Sequence, residues 1–209
     1  MPRAAPHRNG PRIAACPADA RLVSRTLEKR LRAEHGDCPE TVVLAELGLL
    51  CGHVRADLTL VNSRLYGFEI KTDRDSVRRL ERQAAAYGNI FDCVTLVAGP
   101  RRIRDAAGMV PPWWGIISFS GGARRIEFRP VRAARPNPNR NPRALAQLIW
   151  RGRALELLEL RGAVRGVRGK TRAAIWDRLC EVYGLEEIAA EVRTGLKARA
   201  ARRAIPRQR

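Results

Sequence analysis

Histidine is scarce in this chain and its cysteines are never paired at close spacing. His7, His35 and His53 have no partner at zinc-finger distance, and Cys16, Cys38, Cys51, Cys93 and Cys180 form no Cys-x-x-Cys motif. These gaps argue against a structural zinc or a disulfide framework, and the odd thiol count suits a reducing compartment. No apolar run approaches the roughly 20 residues that a membrane span needs. The basic, proline-punctuated residues 1–11 lead into no hydrophobic stretch of the signal-peptide kind. No membrane partner is expected, and the cytoplasm is the expected location. Acids are also in deficit, 21 against 40 lysines and arginines in 209 residues, which leaves a net charge of +19.

A fold gains nothing from that much self-repulsion, whereas a polyanionic partner does, so nucleic acid is the expected partner. An arginine-rich solvated surface is the alternative. The charge is unevenly spread. Residues 1–14 carry +3, residues 15–99 balance at 12 basic against 12 acidic, residues 100–143 carry +8 and residues 144–209 another +8. The hydrophobic fraction of 45% is enough for a genuine core.

Leu22, Val23, Leu27 and Leu31 predict a helix over 18–34, ended by Gly36-Asp37. Residues 41–50 are apolar except for Glu46, and a short helix is expected there, although a strand fits the period equally well. Residues 54–61 and 65–71, joined by Asn62-Ser63-Arg64, read as a β-hairpin. Thr72-Asp73-Arg74-Asp75 offers caps for a helix running to about Gly88, and a strand follows at 91–98, giving the order β-β-α-β. A second hairpin is expected at 115–119 and 125–131, basic on its outer strand. Residues 133–143, with three prolines and three asparagines, read as a linker and a domain boundary. Helical patterns occupy 144–160, 170–183 and 186–198. The expected organisation is a basic, disordered segment 1–14, an α/β domain 15–132, the linker, a small all-α basic domain 144–199 and a basic tail 200–209.

The chemistry is concentrated in the first hairpin. If Val61 pairs with Leu65, Asp57 lies directly opposite Glu69 on one sheet face, with β-carbons about 4.5–5.5 Å apart. Facing carboxylates repel, and a divalent cation relieves the repulsion. Oxygen ligands suit Mg²⁺ or Mn²⁺, which keep water and accept phosphate oxygens. Lys71, two residues beyond Glu69, shares its face and can orient a water or stabilise charge building on phosphorus. A lysine at a strand end is commonly a solvated edge residue, but Asp57 in an apolar strand is harder to explain without a partner. An ion pair with a basic side chain is the structural alternative.

The segment around Ala45-Glu46-Leu47-Gly48, Asp57, Glu69-Ile70-Lys71 and Gln83-xxx-Tyr87 resembles the PD-(D/E)XK nuclease superfamily. No proline precedes Asp57, where the name-giving pattern has one. The resemblance implies a restriction-endonuclease-like mixed sheet flanked by helices and a Mg²⁺-dependent (or Mn²⁺-dependent) nuclease hydrolysing DNA. It also implies metal ligation by Glu46 from the first helix, Asp57, Glu69 and the Ile70 carbonyl. Lys71 and Gln83 would then be catalytic, with Tyr87 on the nucleic acid. Independently, Gln83 and Tyr87 are spaced i, i+4 and share a helix face. Taken alone, Tyr87 reads better as the last rung of a core stripe and Gln83 as a surface residue.

In the second half, the glycine-rich stretch holding Arg165, Arg168, Lys170 and Arg172 somewhat resembles a SAP-type DNA-binding module. Its basic groups are spaced to meet successive phosphates, independently of sequence. A helical bundle that merely stabilises the core is the alternative. Trp113-Trp114 is expected to anchor the neighbouring hairpin rather than stack on bases, and Trp150 and Trp176 are expected in the core. Two functions therefore compete: a metal-dependent nuclease, and a non-catalytic DNA-binding or accessory protein that keeps the nuclease-like fold. DNA is the expected substrate, with RNA an open alternative.

Overall fold

The computed structural model describes residues 18–35, 38, 40–122 and 125–204. The expectations for segment 1–14, the Gly36-Asp37 helix stop and the last tail residues 205–209 lie outside the described residues. The described residues form one mixed sheet of six strands, ordered β1-β2-β3-β4-β5-β6. The strands are β1 Val42–Leu49, β2 Val54–Val61, β3 Leu65–Lys71, β4 Cys93–Ala98, β5 Gly115–Gly122 and β6 Arg125–Arg132. The first two pairings and the last are antiparallel, while β3–β4 and β4–β5 are parallel. The parallel strands need crossovers, supplied by helices α2 (Leu80–Gly88) and α3 (Ile103–Ala107).

Helices cover both faces of the sheet. On one side α1 (Ala20–His35) lays Val23, Leu27 and Leu31 over Val43, Leu58, Leu60, Phe68 and Ile70. The other side carries α2 and the C-terminal helices α4 (Pro142–Ala146), α5 (Arg151–Leu160), α6 (Arg172–Val182) and α7 (Leu185–Ala204). There a single buried cluster runs without interruption from Leu44 and Leu47 of β1, through Tyr87 and Trp114, to Leu145, Leu158, Trp176 and Leu196.

Several expectations are corrected by this arrangement. Residues 42–49 are a strand, because they pair along their length with β2, from Val42↔Val61 to Leu49↔Val54. Their period was hidden because both faces are buried and because the facing switches midway. Glu46 sits at φ 57°, and across the kink Leu44 is buried with Leu47 and Leu49 although their parity differs. In β2 the same switch falls at Asp57: Ala56 faces the larger core and Leu58 the α1 side.

The helix expected from Thr72 begins only at Leu80. Asp75 does not cap it; its carboxylate instead accepts both the N–H and the hydroxyl of Thr72, closing a turn. Residues 133–143, expected as an unpacked linker, are fastened to the body. Asn137 donates to the Gly88 and Phe91 carbonyls at 2.7 and 2.8 Å, and Arg140 bridges to Asp92. Asn141 caps α4 by accepting the Ala144 N–H, with Pro142 in the first helical turn. The helices beyond therefore complete the core of the sheet and do not enclose a separate one.

Trp114 is fully buried and stacks on Tyr87 at 5.6 Å, the expected anchor. Trp176 is buried as expected, but Trp150 is 73% exposed, contrary to expectation. It stands at the N-cap of α5, in the break between α4 and α5, and a helical reading of 144–160 as one piece places it on the wrong side.

Candidate functional site

The site forms where β2 and β3 part. Their ladder holds from Val61↔Leu65 to Leu58↔Phe68, the expected register, which brings Asp57 and Glu69 next in line opposite one another. At that point the Asp57 side chain takes over from the backbone: its Oδ2 accepts the Ile70 N–H at 2.7 Å. Next door in β1, Glu46 lies opposite Asp57, between the pairs Ala45↔Leu58 and Leu47↔Ala56.

Glu69 is 1% exposed, a position an ionised carboxylate tolerates only with full partnering. Its Oε1 accepts from Lys71 Nζ at 2.5 Å and from Gln83 Nε2 at 2.6 Å, and its Oε2 accepts from the Tyr87 hydroxyl at 2.6 Å. Lys71, itself buried, also donates to Gln83 Oε1 at 3.0 Å. One strand and one helix supply all four groups. Lys71 follows Glu69 at the two-residue period of a strand face, and Gln83 and Tyr87 are one helical turn apart on α2.

The electrostatics follow from this packing. Burial, then the charge of the facing Glu69, pushes the Asp57 carboxyl from its ordinary 3.8 up to about 7, against the opposing pull of the Ile70 N–H and Lys71. Burial, then the negative charge of Glu69, holds the Tyr87 phenol well above its ordinary range, so it stays a hydrogen-bond donor.

Asp57, Glu69, Ile70, Lys71 and Gln83 all line one open cleft of about 770 Å³. Basic groups that the sequence reading missed also line it: Arg55 on β2, His53 in the turn before it, and Arg79 and Arg82 ahead of and on α2. The signal for the last two was available, since Arg79 and Arg82 lie at i−4 and i−1 from Gln83.

Two further assignments change. Glu46 comes from strand β1 and not from a helix; it is largely exposed, and it pairs with Arg55. It lines the cleft but makes no ligand cluster, and among the described residues no three acidic, histidine or cysteine side chains are grouped to hold a metal. Tyr87 cannot touch nucleic acid, because it is fully buried between Trp114 and Phe91 with its hydroxyl on Glu69. The basic residues of the second half stand apart from the cleft lining. Arg165 and Lys170 are exposed, Arg168 pairs with Glu159, and Arg172 lies over the Trp176 ring.

The donor set fits a hard divalent cation. Two facing carboxylates lining an open cleft match the one or two protein carboxylates that Mg²⁺ ordinarily takes, the rest of its shell being water and phosphate oxygen. Only one Asp57 oxygen is engaged by the backbone.

Fold and site together define a mixed α/β protein with a buried acid–lysine–glutamine cluster at the floor of an arginine-rimmed cleft. A family model described as Bacteriophage P4 protein cII matches residues 19–204, and the chain belongs to that family. It is 28% identical over 100 residues to Protein cII of Enterobacteria phage P4, a match covering 48% of this chain and 38% of that protein. No solved structure matches the chain significantly. These matches overturn the assignment to the PD-(D/E)XK superfamily. That assignment rested on a handful of motif positions, whereas the cII family match runs through both halves of the chain.

Proposed function

We propose that this protein is a divalent-metal-dependent nuclease that hydrolyses DNA phosphodiester bonds. One observation carries the reading: Asp57 and Glu69 face each other where two strands part, at the floor of a cleft, with Lys71 held against Glu69. Asp57 and Glu69 would hold Mg²⁺ or Mn²⁺, which supplies Lewis-acid polarisation of the scissile phosphate and of the attacking water. Lys71 places a fixed ammonium beside the reacting phosphoryl group, where negative charge grows. Gln83 bonds both Lys71 and Glu69 and fixes their separation, and Tyr87 holds the other Glu69 oxygen from behind. Arg79 and Arg82 offer contacts for phosphates flanking the scissile one.

In this reading the fold is of the restriction-endonuclease-like kind, the protein is cytoplasmic, and its substrate is DNA. A second reading, a DNA-binding or accessory protein that does not cut, draws on a specific observation. Every Glu69 oxygen is already hydrogen-bonded, and no third acid joins the pair among the described residues. The two readings separate in a hydrolysis survey over single-stranded, double-stranded and branched DNA and over RNA, in Mg²⁺ and in Mn²⁺. The nuclease reading expects DNA products that EDTA abolishes. Salt-sensitive retention of DNA without product under either ion would favour the second.

A further inference from the structure

We propose that the groove beside the cleft, between the α4–α5 break and α7, is a binding track for single-stranded nucleic acid, with Trp150 as its base-stacking platform. The inference rests on the nucleic-acid part of the reading above and extends it to a second surface. The groove holds about 680 Å³, and its floor is apolar: Ile149, Trp176, Val192 and Leu196 are all buried. Trp150 lines it while remaining 73% exposed, next to the break where a side chain pays nothing in lost helix packing to face solvent.

The neighbouring backbone is held in place, because Trp176 Nε1 donates to the Ile149 carbonyl at 3.2 Å. Ala154 N–H bonds the carbonyl of Trp150 itself at 2.9 Å. The ring is thus exposed on a fixed mount.

Charge identifies the occupant. Among the described residues that line the groove, five are arginines, Arg151, Arg153, Arg172, Arg199 and Arg202, and two are acids, Glu156 and Glu191, both paired with Arg153; Arg151 also bonds the Arg168 carbonyl and Arg172 lies over the Trp176 ring. An exposed indole flanked by arginines meets the two requirements of an unpaired strand: a π-face for a base and cations for its phosphates. Position adds a third argument. Gly48 of β1 lines both this groove and the Asp57–Glu69 cleft, so the two adjoin at that residue.

The test measures binding of a fluorescein-labelled single-stranded DNA oligonucleotide to the full chain in EDTA, where no hydrolysis occurs, for the native protein, Trp150→Ala and Trp150→Phe. Trp150→Ala is expected to weaken Kd by about 10-fold, with Trp150→Phe recovering most of the loss and duplex binding changing far less. Because Trp150 is exposed, both variants should keep the native unfolding midpoint. An unchanged Kd for Trp150→Ala overturns the proposal. So does a change of oligomeric state in Trp150→Ala without a change in DNA affinity, which makes the groove a protein interface. Displacement of the strand by polyglutamate as readily as by unlabelled DNA overturns it too. Cleavage in Mn²⁺ is scored separately: binding that depends on Trp150 without any product ends the nuclease reading and leaves the track standing.

Discussion

At the scale of single residues, the cluster around Glu69 is a buried polar network, and such networks are stable only when every member is satisfied. Glu69 receives three donors, Lys71 has two acceptors, and Gln83 closes the triangle. Asp57 is the member with an unmet demand, since burial and Glu69 raise its proton affinity to a pKa of about 7. The linkage has a definite sign. An acid whose folded pKa exceeds its unfolded one binds more protons when folded, so the stability it contributes at low pH is lost as pH rises through about 7. In EDTA, native protein should therefore lose on the order of 2 kcal/mol of unfolding free energy between mildly acidic and mildly alkaline pH relative to Asp57→Asn. Urea unfolding of both proteins across that range measures it. Identical pH profiles would mean that Asp57 is not strained in the metal-free site.

Among the elements, β3 carries the site and is positioned by its neighbours to within little tolerance. Gly67 lies against the Phe91 ring so closely that a Cβ there would fall 2.6 Å from a ring carbon, and Phe91 is itself fully buried against Tyr87. Gly67→Ala is expected to destabilise the protein by about 1–3 kcal/mol through overpacking. A denaturant midpoint equal to that of the native protein would show that β3 has room to move.

The hairpin holding Asp57 and Glu69 was legible in the sequence because a three-residue connection with apolar residues at both ends leaves one sensible register. The Val61↔Leu65 pairing is that register. Strand β1 was not legible: the switch of facing at Glu46 breaks the period of two, and apolar residues on both faces resemble a helix stripe. The start of α2 was misjudged for a local reason, since an Asp three residues after a Thr closes a turn as readily as it caps a helix. Of the cleft's basic rim, Arg79 and Arg82 were within reach from their spacing to Gln83, whereas Arg55 on β2 was hidden because only the fold brings it beside α2.

For the whole molecule, the C-terminal helices decide whether the sheet has a complete core. Leu145, Leu158, Ile175 and Leu179 are fully buried in the same cluster as Leu47, Tyr87 and Trp114. Deleting residues 142–209 should therefore leave a chain that binds hydrophobic dyes and unfolds without a cooperative transition, as judged by calorimetry and near-ultraviolet circular dichroism. A soluble 1–141 fragment with a sharp transition would instead establish two independent domains. The same packing brings charge from outside residues 15–99 close to the cleft, whose own basic rim, Arg55, Arg79 and Arg82, lies inside them. Folding sets the α4–α7 side, with its arginine-lined groove, next to β1 and the mouth of the cleft.

The central claim, that Asp57, Glu69 and Lys71 hydrolyse phosphodiesters with a divalent ion, is tested most directly by comparing native protein with Asp57→Ala and Lys71→Ala. Each is assayed in Mn²⁺ on the best DNA substrate, with DNA affinity measured in parallel. Cleavage is expected of the native protein, no detectable cleavage of Asp57→Ala, and a loss of roughly 10²–10³-fold in Lys71→Ala, with DNA binding retained in both. Native-like cleavage by Asp57→Ala would contradict the claim.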